Sequence, residues 1–289
     1  MRLIGRTTEL AQLRAHLASH HHTLVVGPVG IGKSALLRAA VENLGTVFVV
    51  PRILPLKPAL LSVAHQLHTQ GRLDLPDTDS QYLDWSEVQS QLTGPSAVEL
   101  LERLIPLLAG QLLLVDDFDG ITPTLARLLD PLFEATLIVG ALTTVEMSPG
   151  LQRFFWHFRF LLLDPLSREE AREVLWTQTD RAALPDPHIF EQHALDEAGG
   201  NPLAIQELAR QALRGPLRNP ADIRQLHHEA GIHYIDLTPM LLIVGACAVV
   251  ARFLALGLND IGAYILAGSV GAFFLVGRYF IYRAMRKES

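Results

Sequence analysis

The octapeptide GPVGIGKS, Gly27 to Ser34, has the spacing G-x-x-x-x-G-K-[ST]. Glycines there let backbone N–H groups curl around phosphate oxygens with no Cβ in the way. Lys33 would reach the β and γ phosphates of a nucleotide, and the Ser34 hydroxyl would ligate Mg²⁺. A helix beginning near Lys33 would aim its positive end at the same anions. The metal needs a second oxygen source, and LLLVDDFD, Leu112 to Asp119, supplies carboxylates at the end of an apolar run. Asp116 would hold Mg²⁺ through water. Asp117, one residue further along where strand gives way to loop, could polarise the attacking water.

These residues need a scaffold that brings two strand ends together. The apolar run Thr23 to Val26 precedes the glycine loop, a helix over Lys33 to Asn43 follows it, and Thr46 to Val50 has the β-branched and aromatic content of a second strand. Strand, helix and strand in alternation predict a parallel α/β sheet. Thr7 reads as the N-cap of a first helix in which Leu10, Leu13 and Leu17 recur at helical spacing. Residues 51 to 110 are less regular, with a helix around Leu60 to Thr69, an acidic loop carrying Asp74, Asp77, Asp79 and Asp84, and a helix over Ala97 to Leu108. Strand QLLLV, a helix from Leu125 to Phe133, strand TLIVGAL, the helix-like GLQRFFWHF and strand RFLLL follow. From Pro165 the pattern is helical only: SREEAREVLW, PHIFEQHALDEAGG and PLAIQELARQAL. Each starts behind a Pro or Ser.

Other residue clusters read as structure. His20, His21 and His22 are consecutive, so they point in different directions. With His16 one helical turn earlier they lack nearby Cys or carboxylate partners, which favours a polar loop over a metal centre. The aromatic run FFWHFRF reads as core where a helix meets the last strand. Arg168, Glu169 and Glu170 read as an exposed helix start.

The chain is 49% hydrophobic, and the excess sits from Leu237 onward. Leu237 to Leu258 and Ile261 to Tyr282 carry one charge each, Arg252 and Arg278. As helices these runs would be about 33 Å long, enough to cross a hydrocarbon core of about 30 Å, with Asn259 and Asp260 left for the turn. Arg283, Arg286 and Lys287 just past the second run place both ends of such a hairpin, and the body before it, in the cytoplasm. Ala263, Ala267 and Gly271 at four-residue spacing would permit close helix contact within the hairpin or between copies. Of the net charge of −6, the tail from Leu237 contributes +3 and the body −9. An acidic body argues against a nucleic-acid groove. Cys247 is the sole cysteine, so no intramolecular disulfide forms.

From Leu3 to Leu213 the chain resembles the AAA+ and STAND branches of the P-loop NTPases. IGRTTEL is similar to their lead-in, GPVGIGKSALL to Walker A, LLLVDDFD to Walker B, TLIVGALTT to the sensor 1 strand, and GGNPLAIQELA to the glycine-proline motif of the helical lid. The resemblance implies an α/β fold with a parallel sheet in the order 5-1-4-3-2, a helical lid and ATP at the carboxyl edge of the strands. It implies ATP contacts from Gly27, Pro28, Val29, Gly30, Ile31, Gly32, Lys33, Ser34 and Ala35, with Gly5 and Arg6 near the adenine side and Pro202 at the base or ribose. Thr143 or Thr144 would face the γ phosphate. An arginine finger has only loose counterparts here, in Arg153, Arg159 and Arg127.

The expected organisation is an NTPase domain over residues 1–164, a helical lid over 165–213, a linker over 214–236 and a transmembrane hairpin with a basic tail over 237–289. The expected function is a membrane-anchored, cytoplasm-facing ATPase or ATP switch, with Lys33, Asp117 and Thr143 acting in catalysis and Ser34 and Asp116 on Mg²⁺. Partners would be ATP, the lipid bilayer through Leu237 to Tyr282, and further copies of the chain or a membrane protein. The alternatives are a nucleotide-gated pore-forming or membrane-perturbing effector, and a membrane scaffold that binds nucleotide without turning it over.

Overall fold

The computed structural model describes residues 3–74, 83–145, 148–181, 184 and 186–214, together with positions 223, 226, 250, 253 and 254. The chain divides into two compact units, Met1–Gly231 and Ile232–Ser289. In the second, only positions 250, 253 and 254 are described, and all three are helical. The two apolar runs otherwise lie outside the described residues. Among the described residues no helix is long and apolar enough to cross a membrane.

The first unit is built on five short strands: β1 (Thr23–Val26), β2 (Val47–Val50), β3 (Leu112–Val115), β4 (Leu137–Leu142) and β5 (Arg159–Leu162). All described pairings are parallel, in the order β2-β3-β4-β1-β5. That is the order 5-1-4-3-2 read from the other edge. TLVV and LLLV are buried at every residue, as expected of strands with both faces covered.

Alternate side chains separate the two faces. Leu24, Val26, Phe48, Val50, Leu113, Val115, Ile138 and Leu142 join one core with α3 (Leu56–Thr69), α4 (Trp85–Thr93), α5 (Ala97–Leu104), α6 (Pro123–Ala135) and α7 (Gln152–Trp156). Val25, Leu112, Leu114, Val139, Ala141 and Leu161 join the other with α1 (Thr7–Ala18) and α2 (Lys33–Val41). The aromatic run divides accordingly. Phe154, Phe155 and Phe158 are buried and Phe133 packs edge-on against Phe154 and Phe158, while Trp156 is 78% exposed.

Three helices after the sheet, α8 (Arg168–Gln178), α9 (Pro187–Ala198) and α10 (Pro202–Arg214), share a separate core centred on Leu175, Phe190, Ile205 and Leu208. The start of α8 carries a capping box: Ser167 accepts from the Glu170 N–H and the Glu170 carboxylate accepts from the Ser167 N–H. α9 ends at Gly199 in the left-handed region.

Three local expectations differ from the structure. Thr7 is the first helical residue of α1, and Arg6 takes the N-cap position without a side-chain cap bond, because a guanidinium has no acceptor for the N–H groups of the first turn. α4 lies inside the stretch read as irregular. Its buried side is only Val88 and Leu92, too sparse a pattern to show a period. The expected helix to Leu108 stops at Leu104 and continues as a 3₁₀ turn at Pro106–Leu108, since Pro106 has no N–H to extend an α-helical ladder. At one sheet edge the Gln66 amide caps β2, accepting from the Val49 N–H at 2.8 Å and donating to the Val49 carbonyl at 2.8 Å.

Candidate functional site

β1 delivers its carboxyl end directly into the glycine loop, and α2 starts at Lys33 behind Gly32. Lys33 folds back over the loop, its Nζ donating to the carbonyls of Gly27 at 2.6 Å and Pro28 at 3.0 Å. Burial holds the pKa of this ammonium below the ordinary lysine value, while Asp119, Asp117 and Asp116 offset part of the shift. All three carboxylates follow β3, two strands away from β1 across β4. The parallel order therefore brings the phosphate loop and the acidic cluster to the same edge.

The acidic residues are already tied. Asp116 Oδ2 pairs with Arg38 of α2 at 3.3 Å, and its Oδ1 is buried with no hydrogen-bond partner among the described residues. Asp117 Oδ2 accepts from Arg52 Nε at 2.9 Å, and its Oδ1 accepts from the Asp119 N–H at 2.8 Å. Asp119 in turn accepts from both the backbone N–H and the hydroxyl of Thr143, just beyond β4. Arg52, Asp117, Asp119 and Thr143 thus form one hydrogen-bonded chain. The two arginines are mostly exposed, so each ion pair contributes at most about 1 kcal/mol.

Ser34 and Asp116 offer oxygen ligands only, which fits Mg²⁺, a cation that takes one or two carboxylates alongside substrate phosphates. The unpartnered Asp116 Oδ1 is the stronger indication, because a buried polar atom without a partner is costly unless something at that position satisfies it. Among the described residues no group of three or more His, Cys, Asp or Glu could hold a metal alone.

A cavity of about 860 Å³, lined in part by Lys33, lies between the loop and α8 and α10. Gly30 to Ala35 line its floor, Leu3, Ile4 and Leu166 one side, and Val174, Pro202 and Leu203 the roof. Its size and largely apolar walls suit a nucleoside. Pro202 is among the lining residues. Gly27, Pro28 and Val29 belong to the loop but are outside the lining. Arg6 reaches the cavity wall, and its two terminal nitrogens bond to protein: Nη1 donates to Glu9 at 2.8 Å, and Nη2 to the carbonyls of Ile31 at 3.3 Å and Asp164 at 2.7 Å, while the buried Nε has no partner among the described residues. Gly5 is outside the lining. At φ +67°, a Cβ there would lie 2.6 Å from the Glu170 side chain, so this glycine admits the start of α8.

Sequence reasoning missed Arg38, Arg52, Asp119 and Asn201. Arg52 was accessible in principle, because the order 5-1-4-3-2 sets the end of β2 beside the end of β3, and Val50 does pair with Val115. Of the arginines considered as fingers, Arg159 begins β5 at the opposite edge from the loop. Arg153 is exposed and near Asp130 at 3.8 Å, and Arg127 is exposed on α6.

Residues 2–142 match the family model described as an AAA ATPase domain. No curated protein matches the sequence. Two solved structures resemble it distantly. One is a Walker-type ATPase of Pyrococcus abyssi, 16% identical, with 89% of this chain and 77% of that one covered at a TM-score of 0.49. The other is a STAND protein, a signal transduction ATPase with numerous domains, with a tetratricopeptide repeat sensor, from Pyrococcus horikoshii. It is 17% identical with a TM-score of 0.43, and 84% of this chain spans 34% of its length. Over residues 2–142 the chain is thus similar to an AAA ATPase domain, and the glycine loop, the acidic strand end and the strand order agree with a P-loop ATPase.

Proposed function

We propose that this protein is an ATP-driven switch of the STAND type, anchored in a membrane by its C-terminal segment. The observation that carries the reading is the meeting of Lys33 and Ser34 with Asp116 and Asp117 at one sheet edge, beside a cavity roofed by α8 and α10. Lys33 exchanges its hold on the loop carbonyls for the β and γ phosphates. Ser34 and Asp116 would hold Mg²⁺, which would supply neutralisation of phosphate charge. Asp117 takes the proton of the attacking water, and Thr143, fixed by Asp119, orients the γ phosphate. Pro202 packs on the base or ribose. The apolar runs from Leu237 to Tyr282 form a hairpin in the bilayer with the ATPase domain in the cytoplasm, and the preceding linker passes the nucleotide state to it.

One observation favours slow turnover. Both oxygens of Asp117 already accept a hydrogen bond, from Arg52 and from the Asp119 N–H, so fewer lone pairs are left to the attacking water. A nucleotide-gated scaffold or pore is the second reading. ATP hydrolysis by the full-length protein in detergent, followed over a range of protein concentrations beside Lys33→Ala and Asp117→Asn, separates the two. Turnover that rises with concentration and is lost in both variants supports the switch with a contribution from a second copy. Tight binding without turnover leaves the scaffold or pore.

A further inference from the structure

The carbonyls from Gly27 to Ile31 each accept a hydrogen bond, from three separate sources. Lys33 takes Gly27 and Pro28, and Arg6 takes Ile31. The two between them are held by the segment entering α10. The Val29 carbonyl accepts from Asn201 Nδ2 at 2.9 Å, and the Gly30 carbonyl accepts from the Leu203 N–H at 3.3 Å. The approach leaves no room for a side chain, since a Cβ on Gly30 would lie 2.6 Å from Leu203 Cβ and 2.7 Å from Asn201 Oδ1.

Asn201 divides its amide between two tasks. Oδ1 accepts from the N–H groups of Leu203 at 3.0 Å and Ala204 at 3.4 Å, which caps α10. Nδ2 reaches a loop 172 residues earlier in the chain. Asp and Ser cap helices about as well as Asn, so capping accounts for the oxygen and leaves the nitrogen unexplained. Of these caps, only Asn carries acceptor and N–H donor on one planar group.

We propose that Asn201 is a positioning residue for the phosphate loop, a clasp that makes the loop and α10 move as one body. The inference rests on the reading of this loop as a nucleotide site. When phosphate draws Lys33 off the Gly27 and Pro28 carbonyls, the loop carbonyls reorient, and the clasped Val29 and Gly30 carry α10 with them. Arg6 supports the same arrangement from the N-terminal side, joining the Ile31 carbonyl to that of Asp164 at the exit of the sheet.

The test uses the full-length protein with Asn201→Asp and Asn201→Ser, both of which keep a capping oxygen and lose the amide nitrogen. Hydrogen exchange is followed in segments covering residues 28–32 and 202–208, first without nucleotide. Exchange in both segments should rise about fivefold, the factor that corresponds to one neutral hydrogen bond, while α8 and α9 stay as in the wild type. Addition of ATP and Mg²⁺ should change exchange in 202–208 of the wild type, and the variants should bind ATP yet show no such change. Wild-type exchange in both segments of the variants, or an intact α10 response to ATP in them, overturns the clasp. If the wild type itself binds no ATP, the nucleotide reading falls, and the nucleotide-free arm still decides the clasp.

Discussion

At the scale of single residues, the phosphate loop and the acidic strand end divide binding from turnover. Lys33→Ala removes a charge-assisted donor worth about 1.5–3 kcal/mol, so ATP affinity measured by calorimetry should fall by roughly 10- to 100-fold. Asp117→Asn keeps the size of the side chain and removes its basicity. ATP binding should persist while steady-state phosphate release drops by roughly 10²-fold or more, and unchanged release would remove Asp117 from the chemistry. Arg52→Ala should have a smaller effect of the opposite sign. Its ion pair is mostly exposed and contributes at most about 1 kcal/mol, so freeing Asp117 should raise turnover by no more than about fivefold. Lys33, Ser34, Asp116 and Asp117 could be singled out because they stand in two short motifs whose spacing suits phosphate and metal binding. Arg38, Arg52 and Asp119 were not, because their meaning lies in which strand ends become neighbours. Asp119 stood within the quoted motif, yet only the fold shows that it holds Thr143.

Elements were legible where burial is two-sided or a cap is explicit. The β1 and β3 runs stood out because every residue is buried, and α8 because Ser167 and Glu170 form a reciprocal cap. Ser167→Ala should lower stability in a denaturant titration by about 1 kcal/mol, and a change near zero would mean that the cap is dispensable. Contacts between elements were less legible. GGNPL reads as a helix start, and nothing in its pattern says that the helix start grips the phosphate loop. Gly30→Ala tests that contact from the loop side. Its backbone sits at φ +81°, and the added methyl would press on Leu203 and Asn201. A loss of about 1–3 kcal/mol together with weaker ATP binding is expected. A variant as stable as the wild type would show that α10 yields easily.

For the whole molecule, the alternation of strand and helix predicted a parallel sheet, while the strand order 5-1-4-3-2 came from the resemblance alone, and the structure has that order. The C-terminal runs remain an expectation from hydropathy and charge. Protonation supplies a further global test. Burial lowers the pKa of His22, with the positive charges of His157 and His21 acting in the same direction and a hydrogen bond to the Phe133 backbone opposing them. Its Nδ1 accepts from the Ile138 N–H at 3.0 Å, a bond that only the unprotonated nitrogen can make. A depressed histidine pKa means that this contribution is complete above 6.5 and is lost as pH falls from there toward the folded value. The thermal midpoint should therefore decline as pH drops from about 7.5 to about 5.5. His22→Gln, which can accept the same bond without titrating, should flatten the decline, and an equally steep one would assign it elsewhere.

The Gln66 amide on the β2 edge has a bearing on how these molecules behave when crowded. A bare outer strand offers its backbone to any passing chain, and adhesion then spreads from copy to copy. One side chain here occupies both the donor and the acceptor of Val49 in the middle of that rim. Colloidal tolerance on this flank is thus concentrated in a single residue, so a change at Gln66 would show in turbidity at high concentration sooner than in activity.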